Sequence, residues 1–140
     1  MGVIGGLIFL GYEIRQNTSQ MRAEAAYSIN ESLETLNADK YHDPVLVEIL
    51  LRGEKDVGSL NPVEREQFVS YQFARLNLAD YVLTLEKEGI PDVHIEYVEW
   101  TVRKFRSSPG LQEWISSIEN IWVGSDELYA RLTDPEKPNL

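Results

Sequence analysis

The chain contains no cysteine, which excludes disulfides, thiolate nucleophiles and Cys-ligated zinc. Histidine is almost missing as well. Only His42 and His94 occur, so a metal site or a nucleophile–base pair that needs an imidazole must use one of these two. No Glu-x-x-His is present, the spacing on which a di-iron carboxylate bundle depends, and no metal or other cofactor is expected. Positive charge is scarce and scattered: 13 basic residues face 23 acidic ones, for a formal charge of −10. The longest basic run is Arg103-Lys104 with Arg106 close by, too little to hold a phosphate backbone against that balance. Nucleic acid is therefore not an expected partner. A phosphate-cradling loop is lacking too, because Gly2-Val3-Ile4-Gly5-Gly6 has neither a strand before it nor Lys-Ser/Thr after it. No segment alternates as a strand would, and there is no internal repeat or low-complexity stretch.

What is present is helical. A chain of 140 residues with 43% hydrophobic residues can bury one core, and seven Tyr, four Phe and three Trp supply its large side chains. The organising stretch is Gly2 to Leu36, read as one long helix that begins apolar on all sides and becomes amphipathic after Glu13. Six apolar side chains in its first part, Val3, Ile4, Leu7, Ile8, Phe9 and Leu10, represent roughly 9–18 kcal/mol of gross burial. Water is not their natural surrounding. A signal peptide does not fit, for Met1-Gly2 brings no basic residue and Tyr12-Glu13-Ile14 is no cleavage site. A full span needs about 20 apolar residues, and Gly2 to Tyr12 is about half that, so the segment is expected to be the end of a longer membrane span or to pack against protein. Arg15 and Arg22 are the only orientation signal. By the positive-inside tendency they put the following domain in the cytoplasm if the segment spans the inner membrane; otherwise the whole protein is cytoplasmic. Residues 1–12 are thus an apolar stalk or membrane anchor, 13–133 a helical domain and 134–140 a loose tail.

Within the domain the first helix shows Met21, Ala25 and Ile29 in one row and Ala26, Ile29, Leu33 and Leu36 in another, with an end expected near Ala38 before the turn-like DKYHDP. Asp43-Pro44 and Asn61-Pro62 both pair a capping residue with proline at the first helical position. The first opens a helix of about ten residues up to Gly53; GEKDVGSL after it reads as loop. The second opens the best-defined helix, Pro62 to Glu88. There Phe68, Tyr71, Arg75, Leu78, Val82 and Leu85 form one row and Val69, Phe73, Leu76 and Leu83 a second, the wide face of a helix at the centre of a bundle. Gly89 closes it. A helix over about Asp92 to Arg106 follows, then a break at Ser107-Ser108-Pro109-Gly110, a helix marked by Leu111, Trp114, Ile115, Ile118 and Trp122, and a short one that Ser125 caps, running through Leu132. The spacing predicts an all-α, single-domain small helical bundle of about five helices, built on the long N-terminal helix with the Pro62 to Glu88 helix as its antiparallel neighbour.

Two sets of residues stand out. On the stalk, Gly2-x-x-x-Gly6 would let two helices approach closely in lipid, and Phe9, Arg15 and Asn17 lie along the same segment; these five are the candidate interaction residues. In the domain, Arg75 sits on a core-facing row, where it must either pair with a carboxylate such as Asp80, Glu31 or Glu34 or snorkel out at the edge, the preferred reading. With His94, Trp100 and Trp114 it makes the candidate pocket, among aromatic helices that also carry Tyr97 and Trp122. The carboxylate pairs Glu64/Glu66, Glu86/Glu88 and Glu96/Glu99 are most simply solvated helix faces, and no catalytic residue is assigned.

The stretch LIFLGYEIRQNTSQMRAEA, in which an apolar run meets an aromatic-x-Ile-Arg-Gln-Asn-Thr junction, resembles a set of uncharacterised bacterial proteins with one N-terminal membrane-spanning helix and a small helical domain. Leu-Asn-Pro-Val-Glu-Arg at the start of the central helix, LEKEGI at its close and SSPGLQEW downstream are similar to the same set. The resemblance implies a membrane-anchored helical protein and transfers no catalytic residue. The expected function is accordingly a membrane-tethered, non-enzymatic interaction module that meets a membrane or a second copy of itself through residues 2–12. Two rivals are a small-molecule-binding or enzymatic domain with an aromatic pocket, and a soluble homo-oligomer joined through the apolar N-terminal helices.

Overall fold

A computed structural model describes residues 2–90 and 94–134; the helix start expected at Asp92 and all but the first residue of the expected tail lie outside the described residues. The α-helices are α1 (Gly2–His42), α2 (Pro44–Lys55), α3 (Pro62–Lys87), α4 (Ile95–Ser107), α5 (Pro109–Ser117) and α6 (Asp126–Thr133), with 3₁₀ turns at Val57–Ser59 and Glu119–Ile121. The all-α expectation holds, with six α-helices and no strand among the described residues rather than about five helices.

The starts of α2, α3 and α6 are where their capping residues place them. Asp43 accepts the N–H groups of Val45 (3.0 Å) and Leu46 (3.1 Å). Asn61 and Glu64 form a reciprocal capping box at the head of α3. Ser125 Oγ accepts the N–H of Leu128 at 3.2 Å and itself donates to Asp80 of α3, so the start of α6 is tied to the central helix. Gly89, at φ +75°, closes α3 in the left-handed region that favours glycine.

Three boundaries move, each for a physical reason. α1 continues through Asp39 to His42 because no glycine or proline interrupts it between Gly11 and Pro44, and Lys40 and His42 suit the negative end of its dipole. α2 runs through Gly53 to Lys55 because that glycine is a packing site inside the helix: a Cβ there would fall 2.5 Å from the Phe68 ring. α5 begins at Pro109, so the expected break at Ser107 to Gly110 is already half helix, and it ends at Ser117, leaving Trp122 beyond both it and the 3₁₀ turn.

α3 is the central element, touching α1, α2, α4 and α6. Its Phe68, Leu76, Ala79, Val82 and Leu83 are almost fully buried with Phe105 of α4, Leu111 and Ile115 of α5 and Leu128 and Leu132 of α6. Trp114 is 2% exposed and lies edge-on to Phe68 (6.2 Å) and Phe73 (5.2 Å). α1 joins only with its second half, through Ala25, Ile29, Leu33 and Leu36. Its Glu31 and Thr35 share a groove with Asn77 and Tyr81, whereas Leu36 and Asp39 share the next one with Ser70 and Ala74, so α1 and α3 run antiparallel. Met21, expected on the buried row, is 56% exposed. Residues 2–24 are all exposed, an arm of roughly 35 Å at 1.5 Å per residue.

The tightest contact is backbone against backbone. A Cβ on Gly110 would lie 1.9 Å from the carbonyl oxygen of Gly53, so Gly110 is what lets α2 and α5 meet. Gly110→Ala must push the two helices apart, and we expect a loss of about 3 kcal/mol, read as a fall in the urea midpoint at constant slope. Ion pairs add to the frame at lower cost in precision. Arg52 of α2 forks onto Glu64 of α3 (2.7 and 3.1 Å) and is joined by Glu48. Lys87 and Arg131 hold Glu127.

Arg52 and the capping N–H of Asn61 pull the Glu64 carboxyl below its usual range, and Lys87 then Arg131 do the same to Glu127. A carboxyl lowered in the folded state contributes stability that is complete above its unfolded pKa and is lost as pH falls through the folded one. We expect thermal stability to drop as pH falls below about 4.5, and the Glu64→Gln/Glu127→Gln double variant to show a shallower drop over the same interval.

Candidate functional site

The second half of α1 roofs a small cavity whose floor and walls come from α3 and α4. Arg75, on the core-facing row of α3, lies over two rings: its guanidinium carbon is 5.1 Å from the centroid of Tyr71 and 5.2 Å from that of Trp100. A guanidinium over aromatic faces is a favourable electrostatic arrangement. Tyr97 lies beside Trp100 in a stacked pair (6.2 Å between centroids, 26° between planes), and its hydroxyl donates to the Arg75 carbonyl at 3.4 Å. Burial pushes the Tyr97 hydroxyl up to about 12, against a smaller opposing pull from Arg75, so it stays a neutral donor. From α1, Leu33 and Leu36 supply apolar roof and Asn37 and Lys40 polar groups at the edge of a space of about 200 Å³.

Arg75 does not snorkel. It is 3% exposed, and its partner is none of the three carboxylates expected from the sequence: Asp80 binds Ser125 instead, and the acid facing Arg75 is Glu54 near the end of α2. That pair is long, 3.8 Å from Nη1 to Oε1, and Nη1 has no hydrogen-bond partner. The other oxygen of Glu54 takes the Lys104 ammonium of α4 at 2.6 Å. One buried carboxylate therefore serves two cations. Close by, both polar atoms of the Gln72 side chain are buried without a hydrogen-bond partner, unmet polar groups of a kind that protein cores mostly avoid.

Of the four residues expected to form a pocket, Arg75 and Trp100 share the cavity. His94 lines the neighbouring groove with Tyr97 and Trp100, at a left-handed φ of 57° just ahead of α4 and with Nδ1 3.4 Å from Glu96. Trp114 is in the core, and Trp122 packs on Tyr129 at the far corner, donating to the Ser125 carbonyl. Glu54, Lys104 and Lys40 are not singled out by the sequence; Glu54 falls in the expected loop, and only its place directly after the expected helix end at Gly53 hints otherwise. The five stalk residues Gly2, Gly6, Phe9, Arg15 and Asn17 all lie on the exposed arm, and a Cβ on Gly2 or Gly6 would meet nothing within 4 Å. No group of three or more potential metal-ligating side chains occurs among the described residues.

Removing the shared carboxylate leaves two cations uncompensated, so Glu54→Gln is expected to cost ~3–5 kcal/mol. Arg75→Met leaves Lys104 and Glu54 matched and should cost far less, a contrast that urea denaturation of the two variants measures directly. No family model, no curated protein and no solved structure matches the chain.

Proposed function

We propose that the protein is a membrane-tethered helical module: residues 2–12 enter lipid, and the arm of α1 holds the folded domain at a set distance from the surface. The observation that carries this reading is the exposure of Val3, Ile4, Leu7, Ile8, Phe9 and Leu10, which runs from 52% to 78% on a helix that nothing in the domain covers. At 100° per residue these six side chains point to every side of the helix, whereas a helix pair buries only one stripe. Lipid covers all sides. Tyr12 would then lie at the interface, with Arg15, Gln16 and Asn17 among headgroups, and Arg15 and Arg22 favour the cytoplasmic face for the domain. No helix among the described residues is long and apolar enough to cross a membrane; eleven residues reach about 16 Å, roughly one leaflet of hydrocarbon. The role is interaction rather than catalysis, and neither His42 nor His94 lines the cavity that holds Arg75.

Flotation tests this. The full chain, mixed with vesicles of zwitterionic and anionic phospholipid, is expected to rise with them on a density gradient, and an Ile8→Glu/Phe9→Glu variant of unchanged helicity to stay at the bottom. A detergent-free monomer that ignores vesicles overturns the proposal, as does a soluble oligomer that fails to float.

A further inference from the structure

We propose that the cavity between α1, α3 and α4 binds a small organic carboxylate with a flat, unsaturated body, its charge taken by Arg75 and its body by Tyr71, Tyr97 and Trp100. The inference is independent of the membrane reading.

Four observations support it. First, the buried Arg75 has only a long contact to Glu54, whose other oxygen takes the Lys104 ammonium, and no acidic side chain lines the cavity, which Lys40 makes more positive still. An anion restores neutrality. Second, Arg75 is 3% exposed yet lines this space, and its Nη1, 3.8 Å from Glu54, makes no hydrogen bond; a guanidinium is best matched by a planar, two-oxygen acceptor, the geometry a carboxylate supplies. Third, the walls are aromatic and aliphatic, so the remainder of the ligand must be apolar and thin enough to lie against rings. A phosphate or sulfate offers no such body and would leave these walls uncovered. Fourth, the space is about 200 Å³, smaller than the open grooves that flank it along α1, so the ligand is a compact one, and Trp100, 43% exposed, stands at the entrance where it can admit it.

The probe is benzoate, with uncharged benzamide and inorganic phosphate as controls, added to the nitrogen-labelled full chain in mild detergent and followed by two-dimensional NMR. Benzoate is expected to move the Trp100 indole N–H and the amides of Tyr71 and Arg75 to saturation, leaving the indoles of Trp114 and Trp122 in place, with benzamide and phosphate weaker by about tenfold or more. Arg75→Gln should abolish the shifts while the chain stays folded, since the Glu54–Lys104 pair remains matched. Should that variant unfold, Lys40→Gln and Trp100→Leu, both at the cavity edge, must each weaken benzoate severalfold. No shift at any soluble benzoate concentration overturns the proposal. So does benzamide or phosphate binding as well as benzoate, or benzoate binding the edge variants as tightly as the parent chain.

Discussion

Glu54 lies between two cations that belong to two other helices, and the arrangement of the domain follows from keeping it there. Arg75 reaches it from α3 and Lys104 from α4, while Glu54 itself rides on α2, so one carboxylate joins three elements at a single point. Buried charge of this kind is a poor source of net stability, because desolvation consumes most of the attraction. Its effect is on geometry. A helix that slid or rotated would strand an ion in the core, and the penalty for that is far larger than the gain from forming the pair. The neighbouring glycines complete the restraint, since Gly110 lets α5 come within backbone contact of Gly53, one residue before the carboxylate. Charge and close approach thus fix the same spot from two sides.

α1 carries two environments on one uninterrupted helix. Its second half contributes Ala25 and Ile29 to the core and roofs the cavity with Leu33 and Leu36; its first half contributes nothing to the domain and leaves its apolar side chains in the open. The division coincides with chemistry, for the bare segment is apolar on all sides and the docked one on a single face. A domain that needed the arm for its own stability would have buried it. The arm is instead surface that the domain leaves uncovered.

Much of the architecture was legible because it is written in local rules. Asp43-Pro44, Asn61-Pro62 and Ser125 placed three helix starts, and the three-four spacing of Phe68, Leu78, Val82 and Leu85 identified the buried face of α3. What could not be read were contacts between residues distant in sequence. Gly53 looks like a stop from its neighbours alone, yet it is a notch for Phe68 and Leu60. Arg75 was conspicuous on its row, but its partner lay twenty-one positions upstream in a segment without helical periodicity, and only the packing of α2 on α3 brings Glu54 to it. Trp114 and Trp100 have the same composition signal and opposite fates, core and rim, because helix face alone does not say which neighbour covers it.

The 41-residue continuity of α1 has a mechanical meaning. With neither glycine nor proline from Tyr12 to Asp43, there is no joint between the apolar tip and the helices that clasp the other end. A flexible leash would let the domain tumble; a rod transmits orientation. Each residue along it turns the domain by about 100° and advances it by about 1.5 Å, so the number of residues in the bare stretch sets which side of the domain, and which way the mouth of the cavity, looks.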